Sequence, residues 1–333
     1  MKILIIGAVS SEKVLLATPV IRLLKTELDA EVHVVIKKVF DDLLQHNPYI
    51  NRKYDYDLPI VELRANFAKQ GFDWVIDLRN NARSKFLRLG LFKNLIAFDK
   101  KPFFDWLYVK TKINRLPRAH LADQLIGLLK PLGITGDNLG LDFFIPEKDK
   151  VENEWLPKSH QNGYVAIALS ASHHTKKLPI NRLIELCDRI NKPIVLIGDR
   201  ADLKIACEVE KFFRQGTLAE EEAIEELNKK TIIFNACGKF NFNQSASLIK
   251  NANWVFTYDN VMMHIAAVFK KNIYSIWGNT TPYFGTYPYR TQFTVFENNK
   301  LSCRPCSKTG FNNCPKGHFK CMNDLSFDFY LPE

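Results

Sequence analysis

The stretch 253–289 carries residue types and a spacing suited to holding an anion. Residues 254–257 read as a strand, 258–260 as a polar turn, 261–269 as a helix and 273–276 as a second strand. A strand that feeds directly into a helix presents backbone N–H groups with no partner inside the helix, together with a partial positive charge. Phosphate is the first ligand to expect there. The loop 278–281, with Gly278, Asn279 and Thr280, leaves the neighbouring strand at the same end, where it can close over the same ligand.

Two further groups stand out. Cys303, Cys306, Cys314 and Cys321 form C-x2-C-x7-C-x6-C, with His318 between the last two. The first pair has the spacing of a zinc knuckle, and a cytosolic chain seldom keeps disulfides. A structural zinc on these four thiols is one expectation; four reduced thiols packed in a Pro/Gly loop is the other. Cys187, Cys207 and Cys237 fall inside predicted elements and are read as core. In D-L-R-N-N-A-R-S (77–84), Arg79, Asn80 and Arg83 end a strand and suit an anionic ligand, or else a solvated helix start.

These residues need elements to position them. K-I-L-I-I-G (2–7) is a continuous apolar run, as in a strand buried on both faces. Residues 14–28 have helical spacing, and further strands are predicted at 31–36, 73–78 and 94–98. Helices are predicted at 39–46, 58–70, from 79 to about Leu91, and at 118–132, the last ended by Gly133. Residues 103–109 are aromatic and amphipathic. The stretch 140–162, rich in Pro, Asn and mixed charge, breaks the rhythm as an interdomain connection. Alternation resumes with strands at 164–170, 193–198 and 231–235 and helices at 180–190, 201–213, 220–228 and 242–251. The expectation is an α/β protein of two Rossmann-like domains, 1–150 and 151–333, with mostly parallel sheets facing across a cleft.

The 333 residues suffice for two domains, and the net charge of +10 favours anionic partners. The bland reading of that charge is solubility. No nucleic-acid module is visible, so nucleic acid is not an expected partner. There is no apolar run of membrane-spanning length, and M-K-I-L-I-I-G is too short and strand-like for a signal peptide. A cytoplasmic protein is expected; residues 110–118 beside Trp106 and Tyr108 read either as a contact for an anionic inner-membrane face or as an exposed basic loop. A monomer is expected. The dinucleotide G-x-G-x-x-G and the Walker pattern are both absent.

V-L-L-A-T-P-V-I-R-L-L-K (14–25), H-T-K-K-L-P (174–179), D-N-V-M-M-H-I-A-A (259–267), I-W-G-N-T-T-P-Y-F-G (276–285) and the Cys-rich tail together resemble the family 9 glycosyltransferases, the heptosyltransferase-like enzymes of lipopolysaccharide core assembly. The resemblance implies the GT-B fold. It also implies inverting, metal-independent transfer of a heptose-like sugar from a nucleotide-diphosphate sugar to a lipopolysaccharide-core or related glycan. The donor would bind the C-terminal domain and the acceptor the N-terminal one. Donor contacts implied by the match are Lys176, Asp259, Asn260, Val261, Met262, His264, Gly278, Asn279 and Thr280. Asp259 also reads as an N-cap. The strand-end residues Arg79, Asn80 and Arg83 would then meet the acceptor.

Two positions depart from the family pattern. Its proposed catalytic base, an Asp before V-L-L-x-T-P, is replaced by Lys13, next to Glu12. A lysine is protonated at neutral pH unless strongly desolvated, which leaves Glu12 as the candidate base. The second departure is Asn260-Val261 where the family has Thr-Gly. Departures at these places also suit a relative that binds nucleotide, glycan or a partner protein without transfer.

Overall fold

An apolar run buried on both faces belongs at the centre of a sheet. Lys2–Ala8 (β1) is such a run, with Ile3, Leu4, Ile5 and Ile6 each at most 1% exposed. The computed structural model describes residues 1–8, 10–90, 94–219 and 231–332. The helix expected at 220–228 and the expected helix end at Leu91 lie outside them. The chain divides into two compact units: Met1–Pro102 with Pro117–Phe144, and Phe103–Leu116 with Ile145–Glu333. Among the described residues, no helix is long and apolar enough to cross a membrane.

In the first unit β1 lies between Glu31–Ile36 (β2) and Trp74–Asp77 (β4). Arg52–Asp55 (β3) and Asn94–Ala97 (β5) are the edges, and every pairing is parallel. The helix expected over 14–28 is two helices, Ser11–Leu16 (α1) and Thr18–Leu28 (α2). Pro19 has no N–H for the Leu15 carbonyl, which takes the Thr18 hydroxyl at 2.7 Å instead. Ile60–Gln70 (α3) and Ala82–Arg88 (α4) follow. After Pro102–Thr111 (α5), the helix expected over 118–132 is Leu121–Ile126 (α6) continued by a tighter 3-10 turn, Gly127–Leu132. Pro131 cannot donate there, and Gly133 ends the element at φ 81°.

In the second unit Val165–Ala168 (β6), Ile194–Ile197 (β7), Ile233–Asn235 (β8), Trp254–Tyr258 (β9), Asn272–Trp277 (β10) and Phe293–Glu297 (β11) make a wholly parallel sheet. Its order is β11-β10-β9-β6-β7-β8. The helices are Lys158–Gln161 (α7), Ile180–Ile190 (α8), Leu203–Ala219 (α9), Phe242–Asn251 (α10), Val261–Val268 (α11) and Lys320–Asn323 (α12). Cross-strand aromatics hold one face: Phe256 stacks on Tyr274 at 4.5 Å, and Phe329 meets Phe256 edge-on at 5.1 Å.

Helix α5 lies in the first half of the sequence, yet most of it packs within the second unit. Tyr108 meets Phe284 at 5.8 Å, and Lys112 Nζ donates to the Cys303 and Pro305 carbonyls at 3.2 and 2.8 Å.

Candidate functional site

Parallel strands deliver their following loops to one edge of a sheet. In the second unit, β6, β9 and β10 are neighbours, so the segments after them converge. Three of the sequence-predicted residues meet there. Lys176 Nζ lies 2.7 Å from Asp259 Oδ2 and donates to the Asp259 carbonyl at 3.2 Å. Thr280 Oγ1 donates to the same carboxylate oxygen at 3.2 Å. Lys176 and Asp259 are only 6% and 7% exposed, so this is a buried pair of one cation and one anion. Burial strengthens such a pair's mutual attraction and makes it costly to remove either partner alone.

The cap of α11 is displaced by one residue from its expected position. Asn260 is the N-cap, its side-chain oxygen accepting from Met263 N at 3.1 Å. Its amide donates to the Ser170 carbonyl at 2.5 Å, and Thr257 Oγ1 donates to its oxygen at 3.1 Å. Asn260 thus does the capping work for which Thr or Asp would also serve. Asp259, freed of that duty, faces Lys176. Val261 and Met262 are half-buried in the first turn.

His264 is fully buried, and neither ring nitrogen has a hydrogen-bond partner. Burial pushes its pKa down to about 4; Asp259 opposes that shift and Lys176 adds to it. The imidazole is therefore neutral at neutral pH. Asn279 is buried too, with both side-chain polar atoms unpartnered. Lys177 pairs with Asp202 at 2.6 Å.

Sequence reasoning missed Arg304. Its guanidinium donates to the carbonyls of Gly278, Trp277 (3.2 Å) and Thr280 (2.9 Å), and pairs with Glu297 at 2.9 Å. It fixes the loop after β10 from the side of the tail. The tail adds Cys306 N donating to the Asn279 carbonyl at 3.0 Å. Phe311 N donates to Thr175 Oγ1 at 2.8 Å, which braces the segment holding Lys176. Gly278 admits this close packing: a Cβ there would come within 2.6 Å of the Thr175 carbonyl and of Met322. An arginine in a Cys-rich loop gives no such signal in sequence.

The tail cysteines lie near one another, Cys303, Cys306 and Cys314 all acting electrostatically on Cys321. No three His, Cys, Asp or Glu side chains are grouped to hold a metal ion among the described residues. Cys321 lies in the hydrophobic core, where burial pushes its thiol up to about 12. The Cys306 thiol donates to the Cys303 carbonyl at 3.0 Å, and Cys303 Sγ lies 3.9 Å from His318 Nε2.

In the first unit, the residues after β4 bring Arg88 to one carboxylate and lay Arg79 and Arg83 over one aromatic ring. Asp77 accepts from the backbone N–H groups of Arg79 and Asn80 at 3.0 and 2.7 Å, and its other oxygen lies 3.3 Å from Arg88 Nε. Gly7, at φ 143°, lets β1 end against this turn, since a Cβ there would meet Arg79 N at 2.9 Å. Arg79 and Arg83 both lie over the Tyr56 ring, at 5.1 and 5.0 Å. Arg83 also ties the Tyr56 and Leu58 carbonyls at 2.8 and 2.6 Å. Arg79 Nε, Arg83 Nε and Arg88 Nη1 are buried without a hydrogen-bond partner. Glu12 sits half-buried and Lys13 exposed in α1.

Comparison with known proteins bears on this arrangement. Residues 60–315 match glycosyltransferase family 9 (heptosyltransferase). The lipooligosaccharide heptosyltransferase 2 of Campylobacter jejuni is 30% identical over 104 residues, and the match spans only 31% of each chain. A family 9 glycosyl transferase from Veillonella parvula aligns with TM-score 0.66 and 20% identity, over 88% of this chain and 85% of that one. The E. coli ADP-heptose lps heptosyltransferase II aligns with TM-score 0.63 and 16% identity over 97% and 98%. The E. coli heptosyltransferase WaaC with ADP gives 0.61 and 17% over 89% and 93%. These structural likenesses show the fold, the two-sheet GT-B architecture expected from the sequence.

Proposed function

The chain belongs to glycosyltransferase family 9, the heptosyltransferases, and from that membership we propose that it moves a heptose-like sugar from a nucleotide-diphosphate sugar to an anionic glycan of the lipopolysaccharide-core type. The proposed donor nucleotide is ADP, by analogy with the ADP-heptose and ADP named for the E. coli relatives. The observation that carries the reading is the buried Lys176–Asp259–Thr280 group beside the N-terminus of α11. A lysine, a helix N-terminus and a fixed loop supply positive charge where the departing diphosphate gains negative charge.

In this reading the second unit holds the donor through Lys176, Asp259, Asn260, the first turn of α11 and Gly278–Asn279–Thr280. The first unit holds the acceptor through Arg79, Asn80 and Arg83, with Arg88 beside them. The acceptor hydroxyl oxygen bonds to the anomeric carbon as the carbon–oxygen bond to the diphosphate breaks, with inversion. The hydroxyl proton passes to the Glu12 carboxylate, and the nucleoside diphosphate leaves with the bonding electrons.

The test is incubation of the purified protein with ADP-heptose and with UDP-sugars, alongside a heptose-lacking core acceptor, reading glycan product and anomeric configuration by mass spectrometry and NMR. The expected result is inverted product from ADP-heptose and a large loss of turnover, with donor binding retained, in Glu12→Gln. Donor binding without turnover in the unaltered protein overturns transfer, and full turnover in Glu12→Gln overturns the base.

A further inference from the structure

We infer that the outer face of α5 and the turn after it form a docking surface for a negatively charged lipid bilayer. The helix has two unlike faces. Tyr108 is buried against Phe284, and Phe104 and Val109 are half-buried. On the other side, Phe103 and Trp106, one turn apart, are 62% and 55% exposed and stack at 6.0 Å. Ile113, just past the helix, is 52% exposed. Large apolar side chains are seldom left side by side in water without a use.

Charge identifies the occupant. Lys110 and Arg115 are exposed within this segment, and Lys101 and Arg118, also exposed, flank it in sequence. The acid within the helix, Asp105, is neutralised by Lys308 at 2.6 Å. Aromatic tips among cations fit the interfacial layer of an anionic membrane, where rings enter the acyl boundary and ammonium and guanidinium groups meet lipid phosphates. A second copy of this chain fits less well, because it would set the same cations against one another on a protein of net charge +10. Only the Lys112 ammonium is turned inward, to the Cys303 and Pro305 carbonyls, which anchors the segment to the second unit. The exposed face is therefore carried on a fixed support.

The experiment is flotation of the full chain with glycan-free vesicles of phosphatidylcholine alone or with added phosphatidylglycerol. These vesicles contain no sugar acceptor, so binding to them is independent of the proposed transfer. Expected is at least tenfold tighter binding to the phosphatidylglycerol vesicles, falling about tenfold in Phe103→Ser/Trp106→Ser. Charge reversal in Lys110→Glu/Arg115→Glu is expected to cost about fivefold or more per residue. Lipids brominated in their acyl chains should quench unaltered protein more than Trp106→Phe. Unchanged melting temperatures show that the variants fold, and the charge variant stands in if the aromatic one does not. The inference is overturned by equal binding to both vesicles, by no binding, or by binding that both double variants retain. It is equally overturned by a concentration-dependent dimer that Phe103→Ser/Trp106→Ser abolishes without any vesicle binding.

Discussion

The two sheets each bring loops to one edge, and they handle charge there in opposite ways. In the second unit one lysine faces one aspartate, both buried, with Thr280 as a third partner. In the first unit Arg88 faces one carboxylate, Asp77, while Arg79 and Arg83 lie over the Tyr56 ring, and three nitrogens of these arginines stay unpartnered. A balanced buried pair is a preformed arrangement that a ligand must enter by exchange: a diphosphate can take the lysine only as Asp259 gives it up. An unbalanced cluster is short of negative charge, and in the proposed reading an anionic acceptor would complete it. The first suits precise placement of a reacting group, the second recognition of a charged glycan.

The strongest way to break this contrast is Lys176→Met. It leaves Asp259 a buried charge without its cation, at a cost of about 3–5 kcal/mol in stability. It also removes positive charge from the departing diphosphate, lowering turnover by roughly 10²–10³-fold. The double variant Lys176→Met/Asp259→Asn sharpens the point. Denaturant unfolding should show most of the stability restored, while transfer stays lost. If the double variant recovers activity along with stability, Lys176 is structural alone.

Arg304→Ala comes next. It leaves the carbonyls of Trp277, Gly278 and Thr280 without their shared donor and Glu297 without its cation. The expected loss is about 3 kcal/mol, with weaker donor binding because the loop bearing Thr280 loosens. Arg304→Lys should not rescue it, since an ammonium cannot reproduce the planar fork. Unchanged donor affinity in Arg304→Ala, measured by calorimetry, would mean that the brace does not reach the site.

Much of the fold behind this contrast was legible in sequence, and the omissions have physical causes. The buried strands showed as continuous apolar runs, and helices α8 and α10 fall where the spacing placed them. Strands β3 and β11 were missed because neither shows a continuous apolar run: in Arg52–Asp55 only Tyr54 is buried, and in Phe293–Glu297 only Phe296. The D-N turn at 259–260 was legible as a helix start. Which of two neighbouring residues caps it was not, since Asp and Asn are equally good caps and the choice is made by Lys176, 83 residues away. The tail was read for its cysteines, whereas its working residue is Arg304, whose partners are backbone carbonyls and so leave no trace in residue type.

His264 gives an effect that is graded with pH. Its folded pKa, about 4, lies below the unfolded value near 6.5. The unfolded chain therefore takes up the proton first as pH falls. Stability is full above pH 6.5, is lost progressively down to pH 4, and changes no further from this group below that; the total is about 3 kcal/mol. Burial also lowers the pKa of His33 and His160, so the variant difference is what isolates this residue. Comparing unaltered protein with His264→Leu by denaturant unfolding at pH 7 and pH 4.5, the gap should move in favour of the variant at the lower pH. A gap independent of pH would show that the imidazole is not held neutral.

The smallest expected effect tests the other region. Arg79 donates through its backbone to Asp77 and lays its guanidinium over Tyr56, with Nε unpartnered. Because the backbone bond does not depend on the side chain, Arg79→Ala should cost little stability. If the cluster completes itself with an anionic acceptor, acceptor KM rises about tenfold, kcat and donor affinity hold, and the penalty shrinks as salt screens the remaining charges. Arg83 is the wrong residue for this test, since it also ties the Tyr56 and Leu58 carbonyls and its loss would loosen the turn itself. An Arg79→Ala protein that lost donor affinity instead would join two regions that differ in charge balance into one site, and the contrast drawn from their charges would fail.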